Sequence, residues 1–112
     1  MIKLSLKPKR ESIVLQGEKG EEEYYIMEMT AEERDDYLQV LSSRVNGEQL
    51  KDFRGVQAEL LSRSMKKKKD GSPVTKEEIQ QWPSSVVTTL HELAQKINLL
   101  SEEEGKKIVG NP

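Results

Sequence analysis

The sequence predicts an α+β protein with a small N-terminal antiparallel β-sheet or hairpin, followed by a bundle of about four short helices. Three observations predict this class. The first thirty residues alternate apolar and polar positions with the period of a β-strand. The remaining chain carries apolar residues at helical spacing. Hydroxyl residues followed three positions later by glutamate mark the starts of helices in that part of the chain.

The length is that of one ordinary domain, so we expect a single domain over residues 1–112. Within it we expect a β segment at residues 1–29, a helical segment at residues 30–100, and a short terminal turn with a frayed tail at residues 101–112. Apolar residues make up 34% of the chain and aromatic residues 4%. The predicted core is therefore thin, and self-association would add stability.

Three runs in the β segment are predicted to be strands. Residues 2–6 place three aliphatic side chains on one face of a pleated segment. Residues 12–16 are rich in β-branched and aliphatic side chains, and Gly17 and Gly20 supply turn signals before the third run, residues 24–29. The third run has an alternating apolar set that we expect on the covered face: Tyr25, Met27 and Met29.

Two longer helices are predicted after the strands. Thr30 and Glu33 form a capping box that begins a helix near residues 31–45. Apolar residues at helical spacing predict a second helix near residues 49–66, which ends in the lysine run 66–69. Lysines at a helix C-terminus interact favourably with its dipole, so we expect the lysine run to be a solvated helix end.

Two further helices are predicted from caps and proline. Thr75 and Glu78 form a second capping box for a short third helix, and Pro83 ends it and suits the first turn of a fourth helix. Ser101 and Glu104 form another capping box, which predicts a last short turn. The fourth helix carries the clearest apolar stripe: Val86, Leu90, Leu93, Ala94 and Ile97.

Composition and charge narrow the classes of function. The 18 basic and 20 acidic residues nearly cancel, so no overall field draws the chain to nucleic acid or to a membrane. Cysteine is absent from the sequence, which excludes disulfides and thiolate metal sites and fits a reducing compartment. The alternating N-terminal residues predict neither a signal peptide nor a membrane span. We therefore expect a cytosolic protein whose partners are proteins.

Catalytic, cofactor-binding and metal-binding motifs are not found in the sequence. His91 is the only histidine, and we expect it to be an ordinary exposed or half-buried helix residue. The turn at residues 70–72 lacks the acidic ligands that a calcium loop needs at alternate positions. The sequence therefore predicts a protein that is not an enzyme and holds no cofactor.

Trp82 is the residue with the strongest functional signal. Tryptophan is rarely placed on the surface of a protein poor in aromatic residues, so it predicts either core packing between the third and fourth helices or an interface anchor. Met27 and Met29, with Tyr25, have two similar interpretations, because methionines line both buried sheet faces and adaptable binding surfaces.

The order of several segments resembles a known family. The segment YIMEMTAEERDDYL at residues 25–38 resembles the strand-to-helix entry of bacteriophage tail assembly chaperones, small proteins encoded just before the tape measure protein. Over roughly residues 24–100, four later segments are similar to the same family in order and spacing. They are FRGVQAELL at 53–61, DGSPVT at 70–75, QWPSSVV at 81–87 and LAQKIN at 93–98.

The resemblance implies a late-expressed protein of the bacterial host's cytoplasm that is absent from the mature virion. Such a protein coats the aggregation-prone tape measure protein and helps to recruit tail tube subunits. The family tends to self-associate, and many members have a longer frameshifted form, of which this chain would be the short counterpart. Helices with apolar stripes would cover the tape measure protein until tube subunits displace them. The candidate contact residues are Phe53, Leu60, Trp82, Val86 and Leu90.

Two other functions are kept as alternatives. A small structural tail or connector protein would remain in the virion, where mass spectrometry would detect it. A nucleic-acid-binding regulator would use the lysine run 66–69 to contact phosphates, although no aromatic or polar readers lie next to it in the sequence.

Overall fold

A computed structural model of the protein describes residues 1–46, 49–50 and 55–100. It confirms the α+β class, with a three-stranded antiparallel sheet and four helices in the described part of the chain. The predicted capping box at Ser101 and Glu104, and the tail after it, lie outside the described residues. The elements in chain order are β1 (Arg10–Gly17), β2 (Gly20–Met27), α1 (Ala31–Ser43), β3 (Val45–Asn46), β4 (Gln49–Leu50), α2 (Val56–Ser64), β5 (Met65–Lys67), α3 (Lys76–Gln80) and α4 (Ser84–Ile97).

The main sheet has the strand order β1-β2-β5, with every pair antiparallel. β1 and β2 form a hairpin in continuous register, from Gly17 opposite Gly20 to Arg10 opposite Met27. β2 then pairs on its other side with β5, which places Ile26 opposite Met65. β2 is therefore the central strand. It pairs on one side with β1, which precedes it directly in the sequence, and on the other side with β5, which follows α1 and α2.

The strand predicted at residues 2–6 is wrong. These residues form no strand, and their aliphatic side chains are almost fully exposed, at 86% for Ile2, 88% for Leu4 and 102% for Leu6. The period of two is present in the sequence, but a strand also needs a partner. In the described part of this single chain, no other strand pairs with the segment.

The covered face of β2 also differs from the prediction. Tyr24 and Ile26 face the core, whereas Tyr25 and Met27 are half-buried on the opposite face. Met29 is buried as expected, but it lies beyond the end of the strand. Both faces of this run carry apolar residues, so the choice between them was decided by pairing with β5 and by packing against the helices.

The capped helices begin where the sequence predicts. In the capping box of α1, Glu33 N donates to Thr30 Oγ1 at 3.1 Å and Thr30 N donates to Glu33 Oε1 at 3.0 Å. At the start of α3, Glu78 N donates to Thr75 Oγ1 at 3.2 Å. α4 begins directly after Pro83. Each of these starts is fixed by contacts within a few residues, which explains why the sequence alone predicts them.

The second predicted helix is correct only in its centre. α2 covers Val56–Ser64 instead of residues 49–66, because Gly55 adopts a left-handed conformation, φ 70°, directly before it. The predicted helix end at the lysine run 66–69 is also wrong. Lys66 and Lys67 belong to β5, and the following two lysines form a turn. Residues 65–67 pair with β2 as a strand instead of continuing α2.

The core lies between the sheet and the helices α2 and α4. The buried face of α4 consists of Val87, Leu90, Ala94 and Ile97, which confirms most of its predicted stripe. None of the helices in the described ranges has the length and hydropathy needed to cross a membrane. The largest side chains with no exposed surface or nearly none come from β2, α2, β5, the following loop and α3: Ile26, Leu60, Leu61, Ser64, Met65, Val74 and Ile79.

Candidate protein-binding surface

Trp82 lies in the short connection between α3 and α4. Its backbone N–H donates to the carbonyl of Ile79 at 3.0 Å, which extends the last turn of α3 and fixes the position of the indole. The ring meets Tyr24 edge to face, with centroids 5.8 Å apart and planes at 69°. The side chain is half-buried. Trp82 therefore packs against the covered face of β2 and also presents part of its indole at the surface.

One side of the indole borders a cleft of about 260 Å³ between the start of α2, the end of α3 and the start of α4. We call it the Trp82 cleft. Its apolar floor comes from buried residues of all three helices, and uncharged glutamine and serine side chains lie at its rim. The residues that define the cleft are Val56, Ala58, Ile79, Gln80, Trp82 and Val87.

A second depression of about 370 Å³ lies between β1 and α4. We call it the β1–α4 groove. Ile13, Leu15, Val86 and Leu93 are half-buried around it, so the sheet and the helix leave apolar surface between them. The residues that define the groove are Ile13, Val14, Leu15, Val86, Leu90 and Leu93.

The five residues suggested by the sequence as protein contacts have different positions. Trp82 and Val86 are half-buried and line the two depressions. Leu60 has no exposed surface and Leu90 only 4%, so both are core residues that present little or nothing to a partner. Phe53 lies outside the described residues. Helical spacing identified the apolar residues of α2 and α4, but only the packing of the helices shows which of these residues remain accessible.

Glu59 is a buried carboxylate that the sequence did not single out. Its side chain is only 6% exposed, and it accepts hydrogen bonds from Arg63 Nε at 2.9 Å and Lys76 Nζ at 3.1 Å. Arg44 Nη2 lies 4.0 Å from the same carboxylate. Burial alone would raise the pKa of Glu59, but the hydrogen bonds from Lys76 and Arg63 outweigh it and lower the pKa. The cluster ties α3 and the end of α1 to α2.

The lysine run is largely matched by acidic side chains. Lys67 Nζ lies 3.4 Å from Glu78 Oε2, and Lys68 Nζ lies 2.7 Å from Glu23 Oε2. Lys69 Nζ is 3.8 Å from a carboxylate oxygen of the neighbouring Glu22 on β2. These pairs weaken the run as a phosphate-binding patch, because three of its four lysines lie beside a negative charge of the same chain.

The only histidine and the metal-ligating side chains of the described residues complete the survey of this surface. His91 is half-buried, as expected, and its burial lowers its pKa, so the imidazole is neutral at pH 7. Within residues 1–46, 49–50 and 55–100, no three metal-ligating side chains form a group that could hold a metal ion. Comparison of the chain with protein-family models, with curated proteins and with solved structures found no match.

Proposed function

We propose that the protein is a bacteriophage tail assembly chaperone. It would bind the tape measure protein in the cytoplasm of the bacterial host, keep that protein soluble and help to recruit tail tube subunits, without being retained in the virion. The ordered resemblance over residues 24–100 supports the family. The single structural observation that supports a binding role is the half-exposed indole of Trp82 beside an apolar cleft.

The Trp82 cleft suits apolar side chains presented by a helix. Its floor is fixed by Ile79 and Ala58, both of which belong to the buried core, so little ordering is needed when a partner binds. The described lining residues carry no charge. The Trp82 cleft would therefore bind an apolar stripe on its partner, such as the stripe along a long amphipathic helix of the tape measure protein.

Weak binding at one small cleft is compatible with the proposed task. Many copies bound along one long partner would together keep its apolar surface covered, because neighbouring sites act at high effective concentration. Each copy could still be displaced singly when a tube subunit arrives. The function proposed here needs no catalytic group, cofactor or metal from the chain.

Co-expression with the tape measure protein of the same phage tests this function. We expect the tape measure protein to become soluble and to co-purify with the chain. Gln80→Arg places a bulky cation at the rim of the Trp82 cleft and should reduce co-purification several-fold, because the cation would lose water against an apolar helix face. Gln81→Arg is the matched control, since Gln81 is also exposed but does not line the cleft.

Two results would overturn the proposal. The first is a tape measure protein that precipitates regardless of co-expression. The second is recovery of the chain from purified virions by mass spectrometry, which would favour a structural tail or connector protein. Binding to DNA that weakens steeply with salt would favour the regulator instead, although the acidic partners of Lys67, Lys68 and Lys69 argue against it.

A further inference from the structure

Residues 2–6 have the pattern of a strand, but none of the strands in the described part of the chain pairs with them. Ile2, Leu4 and Leu6 alternate with polar residues, and each is at least 86% exposed. Scattered exposed leucines are ordinary on protein surfaces, but three aliphatic side chains at strand spacing would form one apolar face of a strand. The segment is therefore suited to pair with a strand that also has apolar side chains on its covered face, so that the two apolar faces lie side by side.

β1 is a strand of that kind. It is the edge strand of the sheet, and among the described elements only β2 pairs with it. Its register with β2 is continuous from residue 10 to residue 17, so no bulge twists the free edge away. Between Ser12 and Gln16 the strand also lacks the charged residues and prolines with which edge strands usually prevent pairing.

The β1–α4 groove lies beside the same edge. Ile13 and Leu15 on β1 face it from the sheet, and Val86 and Leu93 face it from α4. All four are half-buried. A strand added to β1 would extend the covered face of the sheet over this groove.

Pro8 opposes pairing of the segment with β1 of its own chain. Lys9 is already fixed beside β2, since Glu28 N donates to the carbonyl of Lys9 at 2.8 Å and Lys9 N donates to Glu28 Oε1 at 3.1 Å. A tight hairpin would therefore have to turn within Lys7 and Pro8 or within Leu6 to Pro8. A two-residue turn would place Lys7 at its first position, which needs a positive φ, and this conformation is disfavoured for a residue that precedes proline. A three-residue turn would place Pro8 at its last position, which also needs a positive φ, and the proline ring forbids that value.

We propose that residues 2–6 of one copy pair with the free edge of β1 of a second copy. In an antiparallel pairing that sets Leu4 opposite Ile13, the neighbouring aliphatic residues Ile2 and Leu6 also lie on the covered face. The side chains Lys3, Ser5 and Lys7 then face solvent. The partner of this surface is a second copy of the chain, and the inference does not depend on the identity of the tape measure protein.

The first test of the proposed dimer measures the molar mass of the protein in solution by light scattering over a series of concentrations. We expect the wild-type chain to form a dimer. Leu4→Asp should weaken association at least about tenfold, which corresponds to about 1.4 kcal/mol, because it places a charge in the apolar groove. Ser5→Asp is the matched control and should leave the dimer unchanged. A monomer at every concentration, or a dimer that Leu4→Asp does not weaken, would overturn the proposal.

Disulfide cross-linking locates the contact. The natural chain contains no cysteine, so a mixture of one chain carrying Leu4→Cys and another carrying Ile13→Cys can form this bond only between copies. We expect a covalent heterodimer on mild oxidation. Ser5→Cys mixed with Ile13→Cys should cross-link poorly, because the two side chains would lie on opposite faces of the sheet. Equal cross-linking in both mixtures would contradict the proposed register.

Discussion

Asn98 Oδ1 accepts a hydrogen bond of 2.6 Å from the backbone N–H of Met29, although the two residues are 69 positions apart in the sequence. The amide nitrogen of the same side chain donates to Ser64 Oγ at 3.2 Å and to the carbonyl of Ala94 at 2.9 Å. Asn98 is buried. One polar side chain therefore joins the end of α4 to the entry of α1 and to the end of α2.

Replacing Asn98 with leucine should destabilise the fold. The buried N–H of Met29 would lose its acceptor, and leaving such a group unpaired costs about 1–3 kcal/mol. Urea unfolding measures the loss as a lower midpoint with an unchanged slope. Thr88→Leu, at an exposed position of the same helix, serves as the control and should have a much smaller effect. Equal stability of the two variants would show that the Asn98 contacts contribute little.

Glu59→Gln should destabilise the protein at pH 7 by about 1.5–3 kcal/mol, because the amide carries no negative charge and its NH2 group cannot accept the hydrogen bond that one of the two carboxylate oxygens accepts from Arg63 or Lys76. The lowered pKa of Glu59 also gives a pH dependence. The stabilising contribution of the carboxylate is complete above about 4.5, its ordinary pKa, and is lost as the pH falls through the lower pKa of the folded state.

The difference in unfolding free energy between the wild type and Glu59→Gln should therefore shrink below pH 4.5. Urea titrations at several acidic pH values would measure it. Glu92→Gln removes an exposed carboxylate from α4 and is the matched control. A difference that stays constant down to low pH would contradict the assigned role of the Glu59 cluster.

Gly55→Ala should destabilise the protein by about 1–2 kcal/mol, because a side chain at φ 70° is strained. An added Cβ would also approach Gln80 Nε2 to 3.1 Å, so that side chain would have to move. Gly17→Ala provides the comparison, since its Cβ would make only an ordinary 3.6 Å contact with Gly20. Thermal unfolding should rank Gly55→Ala clearly below Gly17→Ala, and the reverse order would refute the left-handed conformation.

Tyr24→Phe should change the response of the fold to alkali. Burial raises the pKa of Tyr24 to about 12, with a further contribution from its hydrogen bond of 3.0 Å to Glu22. The neutral phenol therefore stabilises the fold fully below pH 10 and loses this contribution as the pH rises towards 12.

The phenylalanine variant lacks this titration. It should be about 0.5–1.5 kcal/mol less stable than the wild type at pH 7, where the hydrogen bond is intact, and should lose less stability above pH 10. Fluorescence of Trp82, the only tryptophan, follows unfolding because its ring contacts Tyr24. Parallel curves for the two proteins across the alkaline range would argue against a buried phenol.

Features fixed by neighbouring residues were predictable from the sequence, whereas features fixed by distant pairing were not. The capping boxes at Thr30 and Thr75 correctly place the starts of α1 and α3 because their hydrogen bonds span three residues. β5 was missed because nothing in a run of lysines indicates a strand. It forms through pairing with Tyr24 and Tyr25, which lie far away in the sequence.

The candidate surface shows the same division. The sequence identified Trp82 from its residue type alone, and the structure places it at a cleft. The sequence could not show that Val86 is half-exposed and Leu90 buried, because both residues belong to the apolar stripe of α4. The difference depends on how α4 lies against β1. Gly55 was the signal that would have corrected the start of α2, since glycine inside a predicted helix often marks its boundary.

The position of β2 has a consequence for the nascent chain. A ribosome releases the β1–β2 hairpin well before Met65, so the second edge of β2 stays unpaired while α1 and α2 are still being made. During that interval the carboxylates of Glu22 and Glu23 repel other acidic strands. When β5 emerges, the lysines that follow it neutralise those same carboxylates. The two carboxylates beside the open edge of β2 therefore meet opposite charge only after β5 has been synthesised.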